Sequence, residues 1–208
     1  DLTGKVALIT GASYGIGMAI AKALAAKESV EKVYIVDIDY VAEEDMTDKM
    51  MSFQFDLTNE RYAFFDRFDD VDALFFTAAV KEKGPFQDIP FTHIMQAFNV
   101  NTIPALRLID KFYSKLKGEK DFYCAINISA LGIMSVPMYS VYGSTKAALK
   151  SFVDTVNAEL RYDGCQNRIM SIMTPITETC TNEIDKSVLD GMIACMESKW
   201  ELYTPLSE

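Results

Sequence analysis

The chain has 208 residues, half of them apolar, with a formal net charge of -10 and an isoelectric point near 4.6. That length buries one substantial core and leaves no room for a second domain of ordinary size, so a single domain over residues 1–208 is expected. The acidic balance argues against nucleic acid and anionic membrane surfaces as main partners, since both would be repelled at long range, and leaves small molecules. Cys124, Cys165, Cys180 and Cys195 are far apart with no CxxC, and only His93 is available to join them, so neither a metal site nor a disulfide framework is suggested. With no basic-then-apolar leader and no apolar run near the roughly 18 residues of a membrane span, the sequence reads as a soluble cytoplasmic protein with reduced thiols.

In chain order, residues 5–10 (KVALIT) form a β-branched-rich run that leads straight into Gly11-Ala12-Ser13-Tyr14-Gly15-Ile16-Gly17. Gly11 allows a tight turn, Gly15 lets backbone approach a pyrophosphate, and Gly17 lets the helix over about 16–27 pack closely on its strand with its first amides facing the anion. A second strand over 33–36 ends at Asp37, twenty residues after Gly17. That is the ribose position of a dinucleotide site, where a carboxylate accepts from both ribose hydroxyls and repels a 2′-phosphate. NAD is therefore favoured over NADP; the bland alternative is that Asp37 only caps the following turn. A third strand is expected over 51–55, a polar helix over about 59–68, and a buried strand over 71–77, whose apolar character is nearly continuous. After a surface loop over 85–90, a long helix is expected over about 91–116, then a strand over 122–128.

Residues 127–149 (NISALGIMSVPMYSVYGSTKAAL) hold the candidate chemistry. Tyr142 and Lys146 are four apart at the head of an apolar-periodic run, so a helix puts both side chains on one face. A positive charge beside a phenol favours phenolate and brings a group that titrates near about 10 toward neutral pH. Ser129, thirteen residues before Tyr142 at the end of a strand, is placed to bond a substrate oxygen beside it. The intervening loop is apolar, and Met134, Val136, Met138 and Tyr139 are expected to form one wall of a substrate pocket. The helix runs to about residue 162, a sixth strand covers 168–173, and a last helix is expected over about 182–200.

A Ser thirteen residues before a Tyr, YxxxK followed by small residues, and the TGxxxGxG turn together resemble the short-chain dehydrogenase/reductase family. The resemblance covers about residues 3–180. It implies a Rossmann-like, doubly wound α/β fold with helices on both faces of a parallel sheet in the order 3-2-1-4-5-6. It further implies Ile38 beside the ribose acid, an adenine contact at Asp56-Leu57, and Asn101 as the fourth catalytic residue with Ser129, Tyr142 and Lys146. Asn101 is preferred to Asn99 because Pro104 follows and frees helix bonding in that turn. Two departures stand out. Phe76-Thr77-Ala78-Ala79 replaces the family's Asn-Asn-Ala-Gly, so the asparagine's bonds must be replaced or missing, while Ala78 and Ala79 remain small enough to let a cofactor pass. Pro175-Ile176 replaces Pro-Gly, leaving Thr177 or Thr179 to hold the nicotinamide carboxamide. Residues about 176–200 are expected to form a substrate lid, and the usual seventh strand is not found.

The expected function is an NAD-dependent oxidoreductase that interconverts a hydrophobic secondary alcohol and its ketone. The alternatives are an NADPH-dependent carbonyl reductase and a cofactor-binding sensor or scaffold of the same fold. A homodimer is expected through the helices over 91–116 and 142–161, on the strength of Ile103, Leu106, Ile109, Phe112, Leu149, Phe152, Val153 and Val156.

Overall fold

The computed structural model describes residues 4–174. Six strands, β1 (Lys5–Thr10), β2 (Val30–Asp37), β3 (Met50–Gln54), β4 (Ala73–Phe76), β5 (Tyr123–Asn127) and β6 (Ile169–Ile172), form one sheet in the order β3-β2-β1-β4-β5-β6. Every pairing is parallel. Among the described residues, four helices flank it: α1 (Gly15–Ala25), α2 (Phe91–Asn101), α3 (Ile103–Lys117) and α4 (Ser140–Tyr162).

The central strands are apolar throughout because both faces are covered, and the pleat divides their side chains between two cores. Val6, Leu8, Tyr34, Val36, Leu74, Phe76, Cys124 and Ile126 point to one side, where Leu108 and Phe112 of α3 and Leu149 and Val153 of α4 pack. Ala7, Ile9, Val33, Ile35, Ala73, Phe75 and Ala125 point to the other, against Met18, Ile20, Ala21 and Leu24 of α1. The order reverses between β1 and β4, so the carboxyl ends of those strands open a crevice suited to a ligand.

The structure corrects several expected elements. The segment over 59–68 is a 3-10 helix at Tyr62–Arg67, not an α-helix. Its buried residues, Tyr62 and Phe65, and the buried Phe68 that caps it recur every third position, the spacing that lines up along one edge of a 3-10 turn. The long helix over 91–116 is two helices broken at Thr102, where φ is -114°. Pro104 has no amide to continue the ladder, and the Thr102 carbonyl instead accepts from Ala105 and Leu106. The second strand begins at Val30, three residues before the apolar run. The apolar face expected for dimer formation is mostly core: Ile109, Phe112, Leu149, Val153 and Val156 are buried, while Ile103 is exposed and Leu106 and Phe152 are half-buried. Pro175, Thr177, Thr179, the lid region and the last helix lie outside the described residues.

Candidate active site

At the end of β1, Gly11 turns with φ +73°, and a Cβ there would sit 2.3 Å from Ala78 Cα, so the turn and the chain after β4 touch backbone to backbone. A Cβ on Gly17 would meet Gly11 O at 2.4 Å and Thr77 Oγ1 at 2.6 Å, which seats α1 directly on the turn. Gly15, at φ +62°, has open space on its Cβ side. Tyr14 occupies the N-cap in extended conformation with its side chain exposed, and no side chain caps the helix, so the first amides of α1 are free of side-chain acceptors. An open glycine, uncapped amides and the positive end of the α1 dipole fit a diphosphate, with Ser13 and Ile16 in the same loop.

Asp37 is buried at the end of β2. Its Oδ2 accepts from both the amide and the hydroxyl of Ser13 at 2.8 Å, and its Oδ1 accepts from the Ile38 amide at 2.7 Å. The same Oδ1 lies 3.5 Å from the Asp39 amide, so the carboxylate braces the glycine turn with both oxygens already engaged, and a ribose hydroxyl would take the place of the long Asp39 contact. Ile38 is exposed beside it. Asp56 is exposed and accepts from the amide and hydroxyl of Thr58, both at 2.8 Å, while Leu57 is buried. After β4, the Thr77 hydroxyl donates to the Thr10 carbonyl at 2.7 Å and lies 3.1 Å from that of Gly11. This threonine ties β4 to the glycine turn, so the bonding between strands is replaced rather than missing. Ala78 is half-buried and Ala79 exposed.

Lys146 is completely buried. Its Nζ donates to the Asn127 carbonyl at 2.8 Å and lies 5.7 Å from the centre of the Tyr142 ring, and burial brings its pKa down to about 7. A 3-10 turn, Ala130–Gly132, packs against the first turns of α4: a Cβ on Gly132 would stand 3.1 Å from the Lys146 carbonyl. Ser129 starts this turn at φ 67°, a backbone strained for a serine, and its Oγ lies 3.4 Å from the Leu131 amide. Its amide donates to the Ile172 carbonyl at 3.2 Å, which anchors the serine to β6.

Asn101 is fully buried, whereas Asn99 is exposed. The Asn101 side chain accepts from the Val80 amide at 2.7 Å and donates to the Val80 carbonyl at 2.9 Å and to Thr145 Oγ1 at 3.0 Å. Thr145 in turn donates to the Tyr142 carbonyl at 2.7 Å, and the Thr102 hydroxyl donates to the Thr145 carbonyl at 3.1 Å. Thr145 was not picked out from sequence. The one hint was a hydroxyl directly before the lysine, on the side of α4 that the α2–α3 break faces.

The expected pocket wall divides. Met134 and Met138 are exposed and Val136 half-buried, but Tyr139 is buried, with the ammonium groups of Lys81 and Lys83 each 5.5 Å from its ring centre. The Gly84 amide donates to the Met138 carbonyl at 2.8 Å and joins the two loops. Neither lysine was foreseen, because nothing in the sequence sets residues 81–83 beside residue 139. Cys124 and Cys165 are free thiols, and no helix among the described residues is long and apolar enough to cross a membrane.

Among known proteins, the sequence profile of the family described as short chain dehydrogenase matches residues 5–187. Ketoacyl reductase HetN of Nostoc sp. is 29% identical over 171 residues, 76% of this chain and 59% of the relative's length. Two solved structures share the fold. The bulky-bulky ketone specific alcohol dehydrogenase of Comamonas testosteroni superposes with a TM-score of 0.79 at 21% identity, over 96% of this chain and 87% of that one. A short chain dehydrogenase of Burkholderia cenocepacia, solved in complex with NADP, gives 0.76 at 21% identity, over 95% and 86%.

Proposed function

This chain belongs to the short-chain dehydrogenase/reductase family, and from that premise we propose that it is an NAD-dependent oxidoreductase interconverting a hydrophobic secondary alcohol and its ketone. The observation that carries the reading is the buried Lys146 one turn from Tyr142, on a helix whose start packs against the turn that begins at Ser129. In the oxidation direction Tyr142, as phenolate, takes the hydroxyl proton of the alcohol, and Ser129 Oγ holds the same substrate oxygen. In reduction Tyr142 returns the proton to the carbonyl oxygen. A charged Lys146 favours the phenolate, and low dielectric around it strengthens that influence. Asn101 positions the loop at Val80 and, through Thr145, the first turn of α4.

When bound, the nicotinamide cofactor supplies the hydride acceptor or donor. Gly11, Ser13, Tyr14, Gly15, Ile16 and Gly17 would hold its diphosphate and Asp37 its adenosine ribose, with Ile38, Asp56 and Leu57 toward the adenine and Ala78, Ala79, Tyr142 and Lys146 along its remaining length. Pro175 and Thr177 or Thr179 complete the assignment at the nicotinamide. NAD is preferred because Asp37 carries negative charge where NADP has its 2′-phosphate, and neither Tyr14 nor Ile38 supplies a compensating cation. The test is calorimetric titration with both cofactors. NAD binding at least about tenfold tighter, a difference of roughly 1.4 kcal/mol, supports the reading. Tighter binding of NADP would instead favour the NADPH-dependent reductase.

We further propose a two-fold homodimer through α2, α3 and α4, on the strength of the exposed Phe91, Met95 and Ile103 and the half-buried Leu106 and Phe152. Light scattering at low micromolar concentration tests it, and a monomer there removes it.

A further inference from the structure

Lys81 and Lys83 flank Glu82 on the loop after β4, and their charges part company. Both ammonium groups come to the same ring, Tyr139, at 5.5 Å each, while Glu82 faces His93, with Oε2 3.5 Å from Nδ1. The loop is fixed at both ends. Asn101 holds both backbone groups of Val80, and the Gly84 amide bonds the Met138 carbonyl. Tyr139 caps α4 one turn before Tyr142, about 4.5 Å along the helix axis. Among the described residues, no carboxylate pairs with either lysine. In a chain of net charge -10, two cations without a carboxylate partner among the described residues therefore stand beside the N-cap of the helix that carries Tyr142.

We propose that Lys81 and Lys83 bind an anionic group carried by the substrate, so that the substrate is an apolar hydroxy or oxo compound ending in a carboxylate or phosphate ester, not a neutral alcohol or ketone. Tyr139 supplies the apolar floor and holds the ammonium groups by its ring face, leaving their N–H donors for the anion. Met134 and Met138, exposed on the facing loop, accommodate the hydrocarbon body. The inference rests on the reading of Tyr142 as the acid-base residue, since that reading puts the reacting carbon beside this loop.

The test compares a series of straight-chain methyl-ketone acids of increasing length with their methyl esters. The wild-type enzyme should favour acids of fitting length by about tenfold in kcat/KM, as expected for two exposed cations acting together, and added salt should reduce the preference. The Lys81→Gln/Lys83→Gln double variant should lose the preference while keeping the ester rate, and Lys81→Arg/Lys83→Arg should retain it. Equal use of acid and ester by the wild type, or a preference that survives the double glutamine variant, would overturn the proposal. Calorimetry with octanoate and octanol on the full chain reads recognition without turnover, so it separates this proposal from the catalytic one. Octanoate binding more tightly than octanol only when the lysines are present supports it, and equal binding refutes it. Octyl phosphate in place of octanoate then distinguishes a phosphate ester from a carboxylate.

Discussion

Replacing Lys146 with methionine should make the protein more stable while abolishing its chemistry. The lysine has no exposed surface, and burial takes its pKa from 10.5 to about 7. Keeping the group charged in the fold therefore costs about 5 kcal/mol relative to the unfolded chain. Because the folded pKa lies below the unfolded one, the unfolded chain binds more protons between those values. The cost is complete below about pH 7 and disappears as pH rises through about 10.5, so this group makes stability increase with pH across that window. Lys146→Met removes the cost but leaves the Asn127 carbonyl without its 2.8 Å donor, a loss of about 1–3 kcal/mol. The net gain at pH 6 is about 2–4 kcal/mol, or roughly 5 to 15 °C in Tm for a chain of this size. At pH 10 the gain should be gone. Thermal and urea unfolding of both proteins at pH 6, 8 and 10 measures this. A variant less stable than the wild type at pH 6, or a gap that does not change with pH, would refute the argument from desolvation.

Three further substitutions probe the frame around the site. Gly17→Ala drives a Cβ to 2.4 Å from Gly11 O and 2.6 Å from Thr77 Oγ1, and should cost at least about 1–3 kcal/mol in urea unfolding and weaken NAD binding in calorimetry. Thr77→Val removes the hydroxyl donor to the Thr10 carbonyl, which keeps the Thr77 amide, and should cost about 0.5–1.5 kcal/mol by the same unfolding measurement. Asn101→Ala leaves both part-buried backbone groups of Val80 without their side-chain partner and removes the amide that donates to the Thr145 hydroxyl, which keeps its own bond to the Tyr142 carbonyl, and should cost about 1–3 kcal/mol, with Asn99→Ala nearly silent because that residue is exposed.

The sheet was legible because its cues are local. β1 is bracketed by Gly4 and Gly11, and its apolar run needs no tertiary information; the same holds for the doubly covered β4 and β5. Strand order followed from the family resemblance and the alternation of elements, and the observed order agrees. What stayed hidden depends on distant contacts. The polar Glu31 and Lys32 concealed the start of β2, although its backbone pairs with β1 from Val30 onward. Tyr62, Phe65 and Phe68 suit a 3-10 turn only because an aromatic cluster around Phe53, Phe55 and Phe64 receives them. Apolar residues on α3 and α4 looked surplus in a helical projection, yet the helices meet each other as well as the sheet, and five of the eight are buried. In the site, the spacing of Ser129, Tyr142 and Lys146 was readable from sequence. The Thr145 bridge to Asn101 and the convergence of Lys81 and Lys83 on Tyr139 arise from segments far apart in the chain.

The most direct measurement of the central claim is turnover by Tyr142→Phe, followed at the reduced-nicotinamide absorbance band with saturating NAD for a panel of secondary alcohols and saturating NADH for the matching ketones, hydroxy and oxo acids included. The substitution removes one hydroxyl and leaves the ring beside Lys146, so cofactor binding should persist while kcat falls by at least about 10²-fold, the lower end of what general acid-base catalysis contributes. Turnover within a few fold of the wild type, with NAD still bound, would contradict the assignment of Tyr142 as the proton-transferring residue.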